Sequence, residues 1–264
     1  MVITAYDDVV AAGWGPSAGA VYEPLAEALV AACPVDLDGS RVLDAGSGTG
    51  VAAAAATRRG ASVVAADLSS AMLAVSMAAE GPSAAVVADV VALPFRATTF
   101  DAALAAFLLN HLDPEPALRE LGRVVRPSGA VVASTWANGA DPVKAVADDV
   151  LWAHGWRPPT WYQEMKSACE AVSGDPDRLA ALAVTAGLVE VAAWVHGADL
   201  GVRDARDFAA YRLAVPHVAW WWANLAGDQR KRLTADLCEA VTPLLAGWRP
   251  EVVFLQARVG GVRT

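Results

Sequence analysis

The chain has 264 residues, enough for one α/β domain carrying a small cap. Hydrophobic residues make up 55% of it, at a mean hydropathy of +0.36. A net charge of −9, from 29 acidic and 20 basic residues, argues against a nucleic-acid partner, whose phosphates need a basic surface, and disfavours anionic substrates. No apolar run reaches the ~20 residues of a membrane span, no basic-then-apolar leader opens the chain, and Cys33, Cys169 and Cys238 form no metal or disulfide pattern; no membrane partner, no metal site and a cytoplasmic location are expected.

Apolar positions at helical spacing predict a helix over 21–32, ending before Cys33-Pro34. A short apolar strand over 41–45 opens into a Gly-rich turn and an Ala-rich helix over 51–59. Strands follow at 62–66, 84–88 and 100–107, with a helix start at Ser69-Ser70. Leu118, Leu121, Val124 and Val125 give one apolar face to a helix over 115–125. Pro127-Ser128-Gly129 reads as a turn before a fifth strand at 130–135. Such alternation argues for a parallel sheet covered on both faces. Further on, helices are expected at 142–154, 160–172 and 175–186, the last with Asp175 as N-cap and Gly187 as C-cap. A strand at 189–195, helices over 203–245 broken at Pro216 and Gly227, and a strand at 251–259 complete the chain. Trp is concentrated after residue 150, and these Trp-bearing helices are expected to cap the carboxyl edge of the sheet, where ligands bind.

Three strand ends carry the chemistry. Asp44-Ala45-Gly46-Ser47-Gly48-Thr49-Gly50 joins the first strand to its helix. Gly46, Gly48 and Gly50 let the backbone turn tightly beside a ligand, and the following helix N-terminus can bind a carboxylate. Position 51 is Val, where a dinucleotide fingerprint wants Gly. The acid Asp44 suits an ammonium group better than a pyrophosphate. Asp67, ending the second strand, can accept both hydroxyls of a ribose. Asp89 and the backbone of Val90 can read the amino group and ring nitrogen of adenine, with Leu68, Met72 and Phe107 around the ring.

Five segments resemble the class I S-adenosylmethionine-dependent methyltransferases, of the ubiquinone/menaquinone-biosynthesis-like, methyltransferase type 11 kind: VLDAGSGTG at 42–50, VVAADLSSAML at 63–73, VADVVALPF at 87–95, FDAALAAFLLNHL at 100–112 and LRELGRVVRPSGAVVAST at 118–135. The resemblance implies an α/β fold: a Rossmann-like, seven-stranded, mostly parallel sheet with helices on both faces and a helical cap. It implies three parts: a core at 1–137, a cap insertion at 138–174, and a closing part at 175–264 with a second cap insertion at 196–248. It also implies S-adenosyl-L-methionine as cofactor. Gly46 and Gly48 would line its methionine end, Asp44 would orient the ammonium, and Asp67 would hold the ribose. Asp89 and Val90 would read adenine, and Phe107 would lie under the cofactor. Val90-Val91 stands where relatives often carry a polar residue.

The expected activity is methylation of an apolar or aromatic small molecule, in a bacterial secondary metabolism suggested by the Ala-, Val-, Gly- and Arg-rich composition. His111, after the fourth strand, is a candidate base or else a loop histidine capping the next helix. His217, beside Trp220-Trp221-Trp222, is a candidate base or a surface residue. Of the three consecutive Trp, at least one should face outward. Tyr6 and Tyr22 are candidate cofactor contacts. Two rivals stay open: a cyclase or pericyclase that keeps the cofactor without transferring methyl, and a non-catalytic binding protein. Monomer and homodimer are equally compatible with the sequence.

Overall fold

The computed structural model describes residues 8–79, 81–200, 202 and 204–261; Tyr6 lies outside them. Seven strands form one sheet: β1 (Arg41–Ala45), β2 (Ser62–Asp67), β3 (Ala84–Val87), β4 (Phe100–Ala106), β5 (Val125–Trp136), β6 (Leu188–Gly197) and β7 (Glu251–Val259). Their order is β3-β2-β1-β4-β5-β7-β6. β7 runs antiparallel to both its neighbours, and the remaining pairs are parallel. The chain builds outward from β1 to β3, then returns to place β4 on the other side of β1. That reversal opens a crevice beyond the carboxyl ends of β1 and β4, the usual ligand position in open α/β sheets. The central strands are continuous apolar runs because helices bury them on both faces; Val42, Leu43, Ala103 and Leu104 are fully buried.

One apolar core joins the sheet to α1 (Asp8–Ala31), α2 (Val51–Arg58), α5 (Pro142–Ala153), α9 (Ala205–Ala214), α10 (Pro216–Ala223) and α11 (Gly227–Leu245). The second core joins the opposite face to α4 (Pro114–Val124) and α8 (Pro176–Thr185) through Leu118, Leu121 and Leu179. The further helices are α3 (Ser70–Ala78), packed on β2, β3 and α1, and the short α6 (Thr160–Met165) and α7 (Ala171–Ser173). The helix starts are written locally. Asp113, Asp141 and Asp175 each precede a proline, and each side chain accepts a backbone N–H of the next turn.

Three expectations change. α1 starts at Asp8 rather than at residue 21, although Gly13, Gly15 and Pro16 read as breakers. Packing against α2, α3, α9 and α10 overrides propensity, as it commonly does for helices. The predicted turn at 127–129 lies within the span of β5. Val125 pairs with Phe100 and Ala130 with Ala102, so the extra residues bulge out and Ser128 takes φ 64°. The single helix expected at 160–172 is interrupted by a π turn over Lys166–Glu170. Of the consecutive tryptophans, Trp220 is 46% exposed, while Trp221 and Trp222 pack partly against the core. No helix among the described residues is long and apolar enough to cross a membrane, and no described group of His, Cys, Asp and Glu is placed to hold a metal ion.

Candidate active site

A cavity of about 980 Å³ runs from the loop after β1 to the cap helices. At its inner end Asp67 organises the loop. Its Oδ2 accepts the Gly48 N–H at 2.8 Å, and its Oδ1 accepts the Ser69 N–H at 2.8 Å. Ser69 in turn caps α3 through Met72 N–H at 3.1 Å. Burial raises the Asp67 pKa, opposed by these backbone donors. A carboxylate oxygen has a second lone pair, so Asp67 can hold its loop and still accept ligand hydroxyls. Asp89 Oδ1 accepts the Val91 N–H at 3.1 Å and fixes the 3₁₀ turn Val90–Ala92 against the cavity.

Asp44 is fully buried under the loop, outside the cavity lining. Its Oδ2 accepts the Ala53 N–H at 2.9 Å, while Oδ1 has no partner. Burial, reinforced by the charge of Asp67, pushes its pKa from 3.8 to about 7. The Ser47 hydroxyl, on the cavity wall, is also without a partner. Gly48 sits at φ 52° with open space where a Cβ would project. The unmatched carboxylate and hydroxyl, the bare Gly48 edge and the Asp67 and Asp89 carboxylates fit an amino-acid-bearing nucleoside.

The chamber beyond is aromatic. The Tyr22 ring lies 5.0 Å from Phe107, and 6.1 Å from both Trp136 and Tyr211. Phe107 and Trp136 are 4.8 Å apart. His111 Nδ1 lies 3.2 Å from Met165 Sδ. A thioether only accepts, so this contact is a hydrogen bond in the tautomer that carries its proton on Nδ1. Burial lowers the His111 pKa to about 4, keeping the ring neutral. His217 stacks on Tyr162 at 3.8 Å, and its Nε2 lies 3.3 Å from Arg212 Nη1. A guanidinium only donates, so His217 Nε2 is the acceptor. Burial first, then the charges of Arg212 and Lys166, hold the His217 pKa well below its ordinary value.

The expected cofactor residues Gly46, Gly48, Asp67, Leu68, Met72, Asp89, Val90 and Phe107 all meet on this cavity, as do His111 and His217. Asp44, Ala45 and Gly50 do not line it. Gly50 is the left-handed residue before α2, pressed against Ser76 of α3, so its glycine serves packing. Met72 is almost wholly buried among Val10, Ala11 and Ala219, Phe107 packs with Tyr22 and Trp136, and Leu68 is the most exposed of the three, each lining the cavity. Asp113, not His111, caps α4. His217 is no surface residue, and its lone pair is committed to Arg212.

Sequence reasoning missed Arg212, Asp148 and Asn110. Arg212 Nη2 donates to Asp148 Oδ1, and Asn110 Oδ1 accepts the Trp136 N–H at 3.3 Å. Helical phase held a signal for Arg212. Its neighbours one turn away, Phe208, Ala209, Val215 and Pro216, are all buried, which puts a cation on an inward face.

Residues 43–133 match the sequence profile of the Methyltransferase domain family. The chain is 33% identical over 196 residues to demethylmenaquinone methyltransferase of Mycolicibacterium paratuberculosis, covering 72% of each chain. It is 31% identical over 217 residues to the Mycobacterium marinum enzyme of that name, covering 81% of this chain and 78% of that one. Similar solved structures include Haemonchus contortus phosphoethanolamine N-methyltransferase 2 in complex with S-adenosyl-L-methionine, at TM-score 0.56 and 17% identity; the match covers 98% of this chain and 57% of that longer one. They also include the [4+2]-cyclase SpnF, at TM-score 0.54 and 18% identity over 90% of this chain and 81% of that one. At such identities the structures establish the shared fold alone.

Proposed function

Because the chain belongs to the class I S-adenosylmethionine-dependent methyltransferases, we propose that it methylates an oxygen, nitrogen or carbon atom of an apolar or aromatic small molecule held under the helical cap. The observation that carries this reading is the continuity of the cavity, in which the Gly48–Asp67–Asp89 end and the Tyr22–Phe107–Trp136 chamber are one space. The relatives named for demethylmenaquinone make quinone-type rings the first substrates to test.

When bound, S-adenosylmethionine supplies an electrophilic methyl group. Gly46, Ser47 and Gly48 hold its amino-acid end, with Asp44 beneath as a countercharge. Asp67 takes the ribose hydroxyls, and Asp89 with the Val90 backbone reads the base. The chain's own work is then positioning and exclusion of water, which can supply several kcal/mol of rate enhancement. The aromatic rings give flat apolar surfaces against which a ring substrate orients. His111 lines the cavity and is neutral at pH 7, so it receives the acceptor's proton where the acceptor is acidic enough to release it to a weak base. His217, turned toward Arg212, positions rather than accepts.

The test is incubation of the protein and S-adenosylmethionine with a panel of reduced quinones and hydroxylated aromatics, read by mass spectrometry. Products heavier by one methyl, with equimolar S-adenosylhomocysteine, are expected. A transformed product of unchanged mass, without S-adenosylhomocysteine, replaces this reading with cyclisation; cofactor binding without turnover of any panel member favours a binding protein.

A further inference from the structure

The cap buries one cation that the methyl-transfer reading does not use. Arg212 is 5% exposed and lines the chamber. Two of its nitrogens are engaged: Nη2 with Asp148, and Nη1 with His217 at 3.3 Å. The third, Nε, is buried and has no partner. A buried charged donor left unmet is costly. Its ion-pair partner Asp148 is the more exposed member, at 45% against 6% for the Arg212 side chain. Two other cations of the cavity wall are engaged elsewhere: Lys144 sits 3.7 Å over the Trp136 ring and 3.8 Å from Asp141, and Arg249 Nη2 donates to Asp199 Oδ2 at 3.4 Å.

We propose that Arg212 anchors an oxyanion, a carboxylate or an ionised ring hydroxyl, on the aromatic substrate of this chamber. The inference rests on the methyltransferase reading and narrows its substrate class. A planar guanidinium on the cavity wall whose Nε donor is unmet matches a planar oxyanion better than any neutral group. His217 supports it by accepting from Nη1 on one side while stacking on Tyr162 on the other. Arg212 and Lys166 both bear on His217, so two cations face that ring, with Asp148 as the carboxylate paired to Arg212. The chain's net charge of −9 argues the other way only at long range; inside a cavity with low-dielectric walls, the nearby ion pair and its unmet Nε donor weigh more.

A purely structural Arg212, tying α9 to α5 through Asp148, makes the opposite prediction for one variant. Tryptophan fluorescence of the full chain, saturated with S-adenosylhomocysteine, is titrated with two matched pairs: 2-naphthoate against 2-naphthamide, and 4-nitrophenolate against 4-nitroanisole. An anchoring Arg212 binds the anion of at least one pair about tenfold or more tightly than its neutral partner, and the responding pair identifies the oxyanion. Arg212→Gln erases that preference and Arg212→Lys keeps part of it. Asp148→Asn removes the competing carboxylate, so anion binding strengthens. Where Arg212→Gln fails to fold by circular dichroism, Asp148→Asn decides: stronger anion binding supports the proposal, and unchanged or weaker binding overturns it. Equal affinity within both pairs also overturns it. Failure to bind S-adenosylhomocysteine itself defeats the methyltransferase reading; binding it without any oxyanion preference defeats this inference alone.

Discussion

The substitution Asp44→Asn separates the charge of the buried acid from its hydrogen bond. In the folded chain burial raises the Asp44 pKa from 3.8 to about 7. Between those values the native state holds a proton that the unfolded chain has released, so stability falls as pH rises across that window and levels off above it. At about 1.4 kcal/mol per pH unit, the ionised side chain costs the cofactor-free fold about 4 kcal/mol near pH 8 and under about 2 kcal/mol near pH 5. Asparagine keeps an oxygen for the Ala53 N–H but turns an NH₂ toward the side where Oδ1 has no partner, at a pH-independent cost of about 1–3 kcal/mol. The informative quantity is therefore the change in the gap between variant and wild type. Urea unfolding of the cofactor-free proteins should show that gap move in favour of Asn by about 2–3 kcal/mol from about pH 5 to about pH 8. A gap that stays constant across that range refutes the reasoning, because it means that Asp44 is not held protonated in the native state. S-adenosylhomocysteine affinity, measured by calorimetry, should fall in the same variant, since the countercharge for the amino-acid end is gone.

Asp67→Asn leaves one acceptor for two backbone donors, Gly48 and Ser69, and should weaken S-adenosylhomocysteine binding by about tenfold or more in calorimetry; unchanged affinity would falsify its role as organiser of the loop. Gly50→Ala puts a Cβ at φ 88° against Ser76, and should lose about 2–4 kcal/mol in urea unfolding from backbone strain and overpacking. Ser76→Ala removes a buried hydroxyl with no partner, and in the double variant should restore the overpacking share while leaving the strain. His111→Gln should slow single-turnover methyl transfer by about 10²–10⁴-fold while S-adenosylhomocysteine affinity holds; an unchanged rate removes the base role. With its pKa near 4, His111 is neutral above about pH 5, so no acid-side loss of transfer rate above that pH should disappear in the His111→Gln variant.

What the sequence determined by itself was set by neighbours along the chain. The strand–loop–helix at 41–58 follows from an apolar run, a string of glycines and an Ala-rich stretch, and the Asp-Pro starts at 113, 141 and 175 become N-caps through bonds spanning two or three residues. Asp67 could be placed because it closes β2, and Asp89 because it follows β3 as the N-cap of the short turn Val90–Ala92. The tertiary structure decided the rest. Asp44 looks like a cofactor ligand in the motif, yet α2 covers it and turns it into a buried acid beneath the loop. α1 crosses glycines and a proline because surrounding helices hold it. Arg212 meets Asp148 across 64 positions and His111 meets Met165 across 54. Such pairs depend on how helices dock, which is governed by shape and burial summed over many residues, and no local pattern records it. The carboxylate end of the cavity could thus be read from short-range hydrogen bonding, whereas the ion pair and ring contacts of its aromatic end emerged only once the cap helices were folded over the sheet.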